Sequence, residues 1–236
     1  MSGDGSHTCL LVVAKAPVAG LAKTRLCPPA TPEQAAGIAA ASLLDTMDTV
    51  LGTPDTSTVV AMTGTLDDAA CAEEITSALR RAAVIRQRGD GFAERLANAH
   101  RDAANIVPGV PLLQIGMDTP QLTAQLLAES AATLHRPGTD AVLGMASDGG
   151  WWALGLRDPD YAKVLLDVPM STSDTGRATC RALLDAGLRV GLLPERSDVD
   201  TIADALLVAG EALHGRFARA VAALLPSEEH GAARCH

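Results

Sequence analysis

Three groups of side chains in this 236-residue chain have types and spacings that could do chemistry. The first is cationic: Lys15, Lys23 and Arg25 lie close together in VVAKAPVAGLAKTRL, although the chain's formal net charge is -9. The second is acidic: Asp118 in GMDTP, Asp148 in SDGG, and Asp198 with Asp200 in DVDT. The third is the hydroxyl-rich MSTSDTG, which contains Ser171 and Thr172. Lysine and arginine in a loop after a strand can neutralise phosphates, and arginine can hold two phosphate oxygens at once. A carboxylate such as Asp118 facing them suits Mg²⁺, which is usually held by one or two carboxylates, substrate phosphates and water. Each group also has a purely structural reading. The lysines can serve solubility, the aspartates can cap a turn or helix start, and MSTSDTG can form a turn.

Two familiar phosphate loops are excluded. Aligned on Lys23-Thr24, GLAKT would put Pro17 and Ala22 where the phosphate-cradling GxxxxGK[ST] loop needs glycine. Their side chains block the close backbone approach on which that loop depends. GxGxxG does not occur. What remains is a flexible loop in which Gly20 allows a tight bend and Lys15, Lys23, Thr24 and Arg25 face phosphates. Asp148-Gly149-Gly150 is a turn signal whose paired glycines also let a sugar or ribose approach the backbone. Trp151 and Trp152 are neighbours on a strand and face opposite sides, so one suits the core and the other a ligand ring.

The elements that must position these residues alternate between strand and helix. Strands are expected at 8–14, 57–63, 83–87, 110–116, 140–146, 151–156 and 188–194. Helices are expected at about 31–51, with Thr31 as N-cap and Pro32 in the first turn, then 66–81, 91–105, from about 123, 177–186, and from 201. An irregular stretch precedes the helix near 177. This alternation means βαβ units and an α/β fold: a mostly parallel sheet with helices on both faces. The connection between 140–146 and 151–156 is too short for a crossover, so that pair is antiparallel. Ligands of such sheets bind beyond the carboxyl ends of the strands, which selects loops 15–25, 117–120, 147–150 and 194–200. The reading gives one main domain over 8–210, a C-terminal helix over 211–225 and a flexible tail over 226–236.

Hydrophobic residues make up 47% of the chain and aromatics only 2%, so Ala, Leu and Val must fill the core. A net charge of -9 disfavours a nucleic-acid partner, which needs a basic face. The five cysteines are scattered without CxxC or zinc spacing. They read as reduced thiols of a cytoplasmic protein. The first ten residues lack a signal-peptide pattern, and no apolar run is long enough to span a membrane.

Together KAPVAGLAKTRL, RGDGFAERL, GMDTPQLT, SDGGWWALGL, PMSTSDTG and LPERSDVDT, in this order, resemble the DUF2064 family of glycosyltransferase-like proteins, from about Leu10 to Ala209. The resemblance implies the GT-A, or nucleotide-diphospho-sugar transferase, fold and a metal-dependent transferase that uses a nucleotide-sugar donor and a small-molecule acceptor. It implies Mg²⁺ or Mn²⁺ as cofactor, with Asp118 at the metal-binding acidic position and Asp200 at a second one. Lys15, Gly20, Lys23, Thr24 and Arg25 would bind the nucleotide phosphates. Asp148 would be the catalytic or acceptor-orienting group, and Gly149, Gly150, Trp151, Ser171 and Thr172 the acceptor side. One departure is plain: many GT-A enzymes carry Asp-x-Asp, whereas this chain has Gly116-Met117-Asp118. KTRL and DVDT are also similar to segments of guanylyltransferases that activate phospholactate or phosphoenolpyruvate. Nucleotidyl transfer to a phosphorylated small acid is therefore the alternative activity, and a non-catalytic nucleotide-binding protein is a third reading. The assembly is left open, a homo-oligomer included.

Overall fold

The computed structural model describes residues 7–212 and 215–225; the expected tail over 226–236 lies outside the described residues. Seven strands form one sheet: β1 (Thr8–Lys15), β2 (Thr56–Thr63), β3 (Ala83–Arg86), β4 (Leu112–Gly116), β5 (Ala141–Ala146), β6 (Trp151–Leu156) and β7 (Val190–Arg196). Their order across the sheet is β3-β2-β1-β4-β6-β5-β7. β6 runs antiparallel to both β4 and β5, while the remaining pairs are parallel. The sheet is thus mostly parallel, with the antiparallel step at the expected place.

Helices α1 (Pro32–Leu51), α2 (Ala72–Leu79), α3 (Phe92–Ile106), α4 (Ala124–Leu134), α5 (Thr175–Asp185), α6 (Ile202–Glu211) and α7 (Arg216–Ala222) accompany the strands. β1 shows why both faces are covered. Leu10, Val12 and Ala14 pack in one cluster with Leu43 and Met47 of α1, while Cys9 and Leu11 pack with Ala99 and Ala103 of α3. A strand buried on both sides reads as continuous apolar sequence rather than as alternation.

The α1 start follows its local signals. Thr31 accepts from Gln34 N, the Gln34 side chain accepts from Thr31 N, and Pro32 occupies the first turn. Four boundaries differ from expectation. The helix expected over 66–81 shortens to α2, because the preceding segment pairs with the loop after β1. Ala70 N donates to Pro17 O, Val18 bridges Ala69, and Cys71 turns left-handed at φ 54°. The stretch expected to be irregular contains a 3-10 helix over Pro159–Asp167, opened by Asp158 accepting from Asp160 N. α5 begins at Thr175 rather than near Arg177. β7 is displaced to Val190–Arg196 and contains Pro194, which is tolerated because this strand lies at the sheet edge.

Among the described residues no helix is long and apolar enough to cross a membrane. Of the cysteines, Cys9, Cys27, Cys71 and Cys180 are free thiols.

Candidate active site

The carboxyl ends of β1, β4, β5 and β7 open onto one cleft of about 870 Å³. Lys15, Lys23, Thr24, Arg25, Asp118, Asp148, Gly150, Trp151, Ser171, Thr172 and Asp200 all line it; Gly20 and Gly149 do not. Gly20 and Gly149 act through the backbone instead, at φ 75° and 90°. A Cβ on Gly149 would collide with the Ser173 carbonyl oxygen, so the turn after β5 is packed against MSTSDTG without room for a side chain.

The cationic loop closes onto the acidic ones. Lys23 Nζ lies 2.9 Å from Asp118 Oδ2 and 3.7 Å from Asp200 Oδ1, and also donates to Val199 O. Arg25 donates to Asp200 Oδ2 at 2.7 Å. Lys15 is exposed and donates to Leu21 O at 2.7 Å. The backbone fixes this meeting: Val199 N donates to Asp118 O, and Ser42 of α1 donates to Met117 O. Lys23 itself holds a left-handed φ of 49°, which costs a non-glycine residue some strain.

The capping roles that could have occupied the aspartates belong to other residues. Thr123 caps α4, and Thr201 with Asp204 forms the capping box of α6. Asp118, Asp198 and Asp200 are therefore left for the cleft. Asp148 accepts from Gly150 N at 2.7 Å, and the turn that carries it is held beside the segment after β7 by Ser147 N to Arg196 O and Ser147 Oγ to Ser197 Oγ. As a result Asp148, Asp198 and Asp200 each offer an oxygen within 4.8 Å of the others'. Burial, then the charges of Asp148 and Asp200, push the Asp198 carboxyl up to about 6.

Three carboxylates are a hard, all-oxygen donor set that fits Mg²⁺ or Mn²⁺ rather than a thiolate-seeking metal. Asp200 belongs to this group; Asp118 sits against Lys23. Asp198, adjacent to the expected set, completes the cluster, and the alternation of DVD was the signal, since Asp198 and Asp200 flank the fully buried Val199. Trp152 is buried and donates to Pro194 O. Trp151 is half-buried on the cleft and donates to Thr179.

Phe92, Arg95, Gln87 and Gln114 also line the cleft and were not singled out. Gln87 donates to Ala14 O of β1 and Ala61 O of β2, tying β3's end to both strands. Gln114 Oε1 faces Nε2 of fully buried His100 at 2.9 Å; burial holds that imidazole down to about 4, hence neutral. Phe92 and Arg95 belong to RGDGFAERL, and their spacing on one helical face was the available signal.

The DUF2064 family model, described as an uncharacterized protein conserved in bacteria, matches residues 46–172. No curated protein matches the chain. A solved structure from Desulfovibrio desulfuricans, provisionally named a nucleotide-diphospho-sugar transferase, is similar with TM-score 0.79 and 24% identity, over 92% of this chain and 96% of that one. CMP:2-keto-3-deoxy-manno-octonic acid synthetase, complexed with CTP, gives TM-score 0.55 at 12% identity, over 88% and 98% of the two chains. A 4-diphosphocytidyl-2C-methyl-D-erythritol synthase from Anaerococcus prevotii gives 0.55 at 11% identity, over 89% and 96%. At these identities the likeness establishes the fold, that of the nucleotide-diphospho-sugar transferases.

Proposed function

This chain belongs to the DUF2064 family, and we propose that it is a metal-dependent transferase drawing its group from a nucleotide substrate. The observation that carries the reading is the charge balance at one point of the cleft. Among the described residues, the carboxylates of Asp118, Asp148, Asp198 and Asp200 are offset by ion pairs from only Lys23 and Arg25, four negative charges against two positive. A nucleotide's phosphates would add to that excess, so an additional divalent cation is required for both to be present. Asp148, Asp198 and Asp200 would hold it. When bound, such an ion supplies charge stabilisation to the departing phosphate.

The chain's own residues do the rest. Asp118 fixes the Lys23 ammonium, and Lys15, the exposed last residue of β1, is free to exchange the carbonyl of Leu21, on the loop bent at Gly20, for a phosphate oxygen. Arg25 adds a fork of donors. Asp148, the exposed member of the cluster, is the carboxylate open to an acceptor hydroxyl. Beside it, Gly149-Gly150 and the half-buried Trp151 suit a sugar face, which favours glycosyl transfer from a nucleotide-sugar donor. Nucleotidyl transfer is the second reading. It is favoured by the single carboxylate at Met117-Asp118 and needs no base, since the attacking phosphate is already an anion.

Product analysis separates the two. With Mn²⁺ present, nucleotide sugars should yield a nucleoside diphosphate if sugar is transferred, whereas nucleoside triphosphates with phosphorylated acids should yield pyrophosphate if nucleotide is. Failure of every nucleoside diphosphate and triphosphate to bind in the presence of Mn²⁺ would overturn both readings.

A further inference from the structure

We propose that Arg95 and Phe92, in the first turn of α3, form a second anion site in the cleft that takes a carboxylate or phosphate carried by the acceptor. The proposal rests on the reading above in one respect, that an acceptor enters this cleft.

Four cations line the cleft: Lys15, Lys23, Arg25 and Arg95. The first three have protein oxygens as partners: Leu21 O, Asp118 with Asp200, and Asp200 again. Arg95 differs. Its Nε is sealed from water without a hydrogen-bond partner, and among the described residues the guanidinium forms no ion pair. The guanidinium is always charged and carries five donors. Leaving guanidinium donors without partners is unfavourable, and an anion in the cleft would pair with the fork's outer N–H groups.

Two arginines that flank it in sequence have local partners. Arg88 makes a two-point bond to Asp102 at 2.9 and 2.5 Å, and Arg101 donates to Asn98 Oδ1. Glu94, next to Arg95, turns away and accepts from Asp90 N at 2.9 Å. In a chain with 28 acidic and 19 basic residues, partners for a lone arginine are plentiful, yet none of the described residues supplies one here.

Phe92 gives the site its second half. It is 45% exposed, and its ring centroid lies 5.9 Å from the Arg95 guanidinium carbon. This contact orients the planar fork without consuming its donors. Leu96, the following residue, packs in one cluster with Trp151 and Met170, which puts the start of α3 on the acceptor side of the cleft. The chain has only two Phe, two Trp and one Tyr, and Phe92, Trp151 and Trp152 all line this cleft. The ligand class is therefore a small acceptor with one anionic group and an apolar or ring face.

The test uses inorganic phosphate in one arm and malonate in the other, titrated into the full chain with saturating Mg²⁺ and nucleoside diphosphate. Tryptophan fluorescence is the readout, because Trp151 borders the site. Wild type should show a saturable change with at least one anion, and the arm that binds more tightly identifies phosphate or carboxylate. R95Q should weaken that binding at least tenfold and R95K should restore most of it, with the affinity for Mg²⁺–nucleotide unchanged in both. If R95Q does not fold, Phe92→Leu, at an exposed position, should weaken binding severalfold. Equal binding by wild type and R95Q, equal binding by wild type and Phe92→Leu, or no binding of either anion to wild type, overturns the proposal. Should no nucleotide bind, the titration is run without it. An Arg95-dependent anion response then leaves this site standing while the functional reading above fails.

Discussion

The two walls of the cleft handle charge in opposite ways. On the wall built by the loops after β1, β4, β5 and β7, every charged side chain has a partner or a like-charged neighbour, and the sum is negative. On the wall built by α3, one cation stands with an aromatic ring and, among the described residues, no counter-ion. Where Lys23 and Arg25 meet the four carboxylates the first wall carries an excess of two negative charges, with Lys15 held on Leu21 O beside them, and the second wall carries a single positive one. On the proposed reading, a cleft of that polarity takes a cation and a phosphate chain at one end and the anion of an acceptor at the other.

The largest blow to this comparison is removal of the acidic excess. Asp200→Ala deletes the residue shared by Lys23, Arg25 and the carboxylate cluster. It should abolish Mn²⁺ binding and lower turnover on the order of a thousandfold, as expected when several kcal/mol of transition-state stabilisation disappear. Turnover within tenfold of wild type would mean that Asp200 is only a structural ion-pair partner.

Gly149→Ala strikes the geometry that joins the turn after β5 to MSTSDTG. The added Cβ meets Ser173 O at a backbone φ of 90°, so stability should fall by about 2–3 kcal/mol in urea unfolding. A loss below 0.5 kcal/mol would show that this turn relaxes freely.

pH sharpens the same contrast. The Asp198 carboxyl is raised to about 6, above its ordinary value, so the folded chain binds that proton more tightly than the unfolded chain does. Its contribution is therefore full at low pH and is lost as pH rises through about 6, by roughly 2 kcal/mol. In metal-free buffer the melting temperature should fall between pH 4.5 and 7 on this account (~2 pH units across the titration), and Mg²⁺ should restore it at pH 7. A metal-free melting temperature that Asp198→Asn leaves with the same pH profile would contradict it.

The smallest expected effect is Thr201→Ala. Removing the capping hydroxyl of α6 should cost about 1 kcal/mol and loosen Asp200, whose N–H faces Asp204 Oδ2 at 3.3 Å. Chemical denaturation and a modest rise in the Mn²⁺ dissociation constant would register it; no change in either would uncouple the cap from the site.

The sequence was most informative where local chemistry and global position agree. β1 is an apolar run from Cys9 to Ala14, and Thr31-Pro32 with Gln34 defines the start of α1 through its own hydrogen bonds. The four loops chosen from strand ends do converge, because the strand-end rule depends only on topology. Details requiring contacts between distant segments were less visible. Residues 66–71 favour helix by composition, but their backbone pairs with Pro17 and Val18. Asp118 stands at the right strand end for a cation, yet Lys23 reaches it across the loop. Arg95 is an ordinary helical arginine in sequence. Only the turning away of Glu94 and the commitment of Asp102 to Arg88 leave it alone.

The most direct measurement is a calorimetric titration of Mn²⁺ into the wild-type chain, Asp198→Asn and Asp200→Asn, with and without a nucleoside diphosphate. The account predicts one ion per wild-type chain, tighter when the nucleotide is present, and loss of that binding in both variants. No Mn²⁺ binding by wild type, or binding that survives both substitutions unchanged, would contradict a cation held by the carboxylates of this cleft.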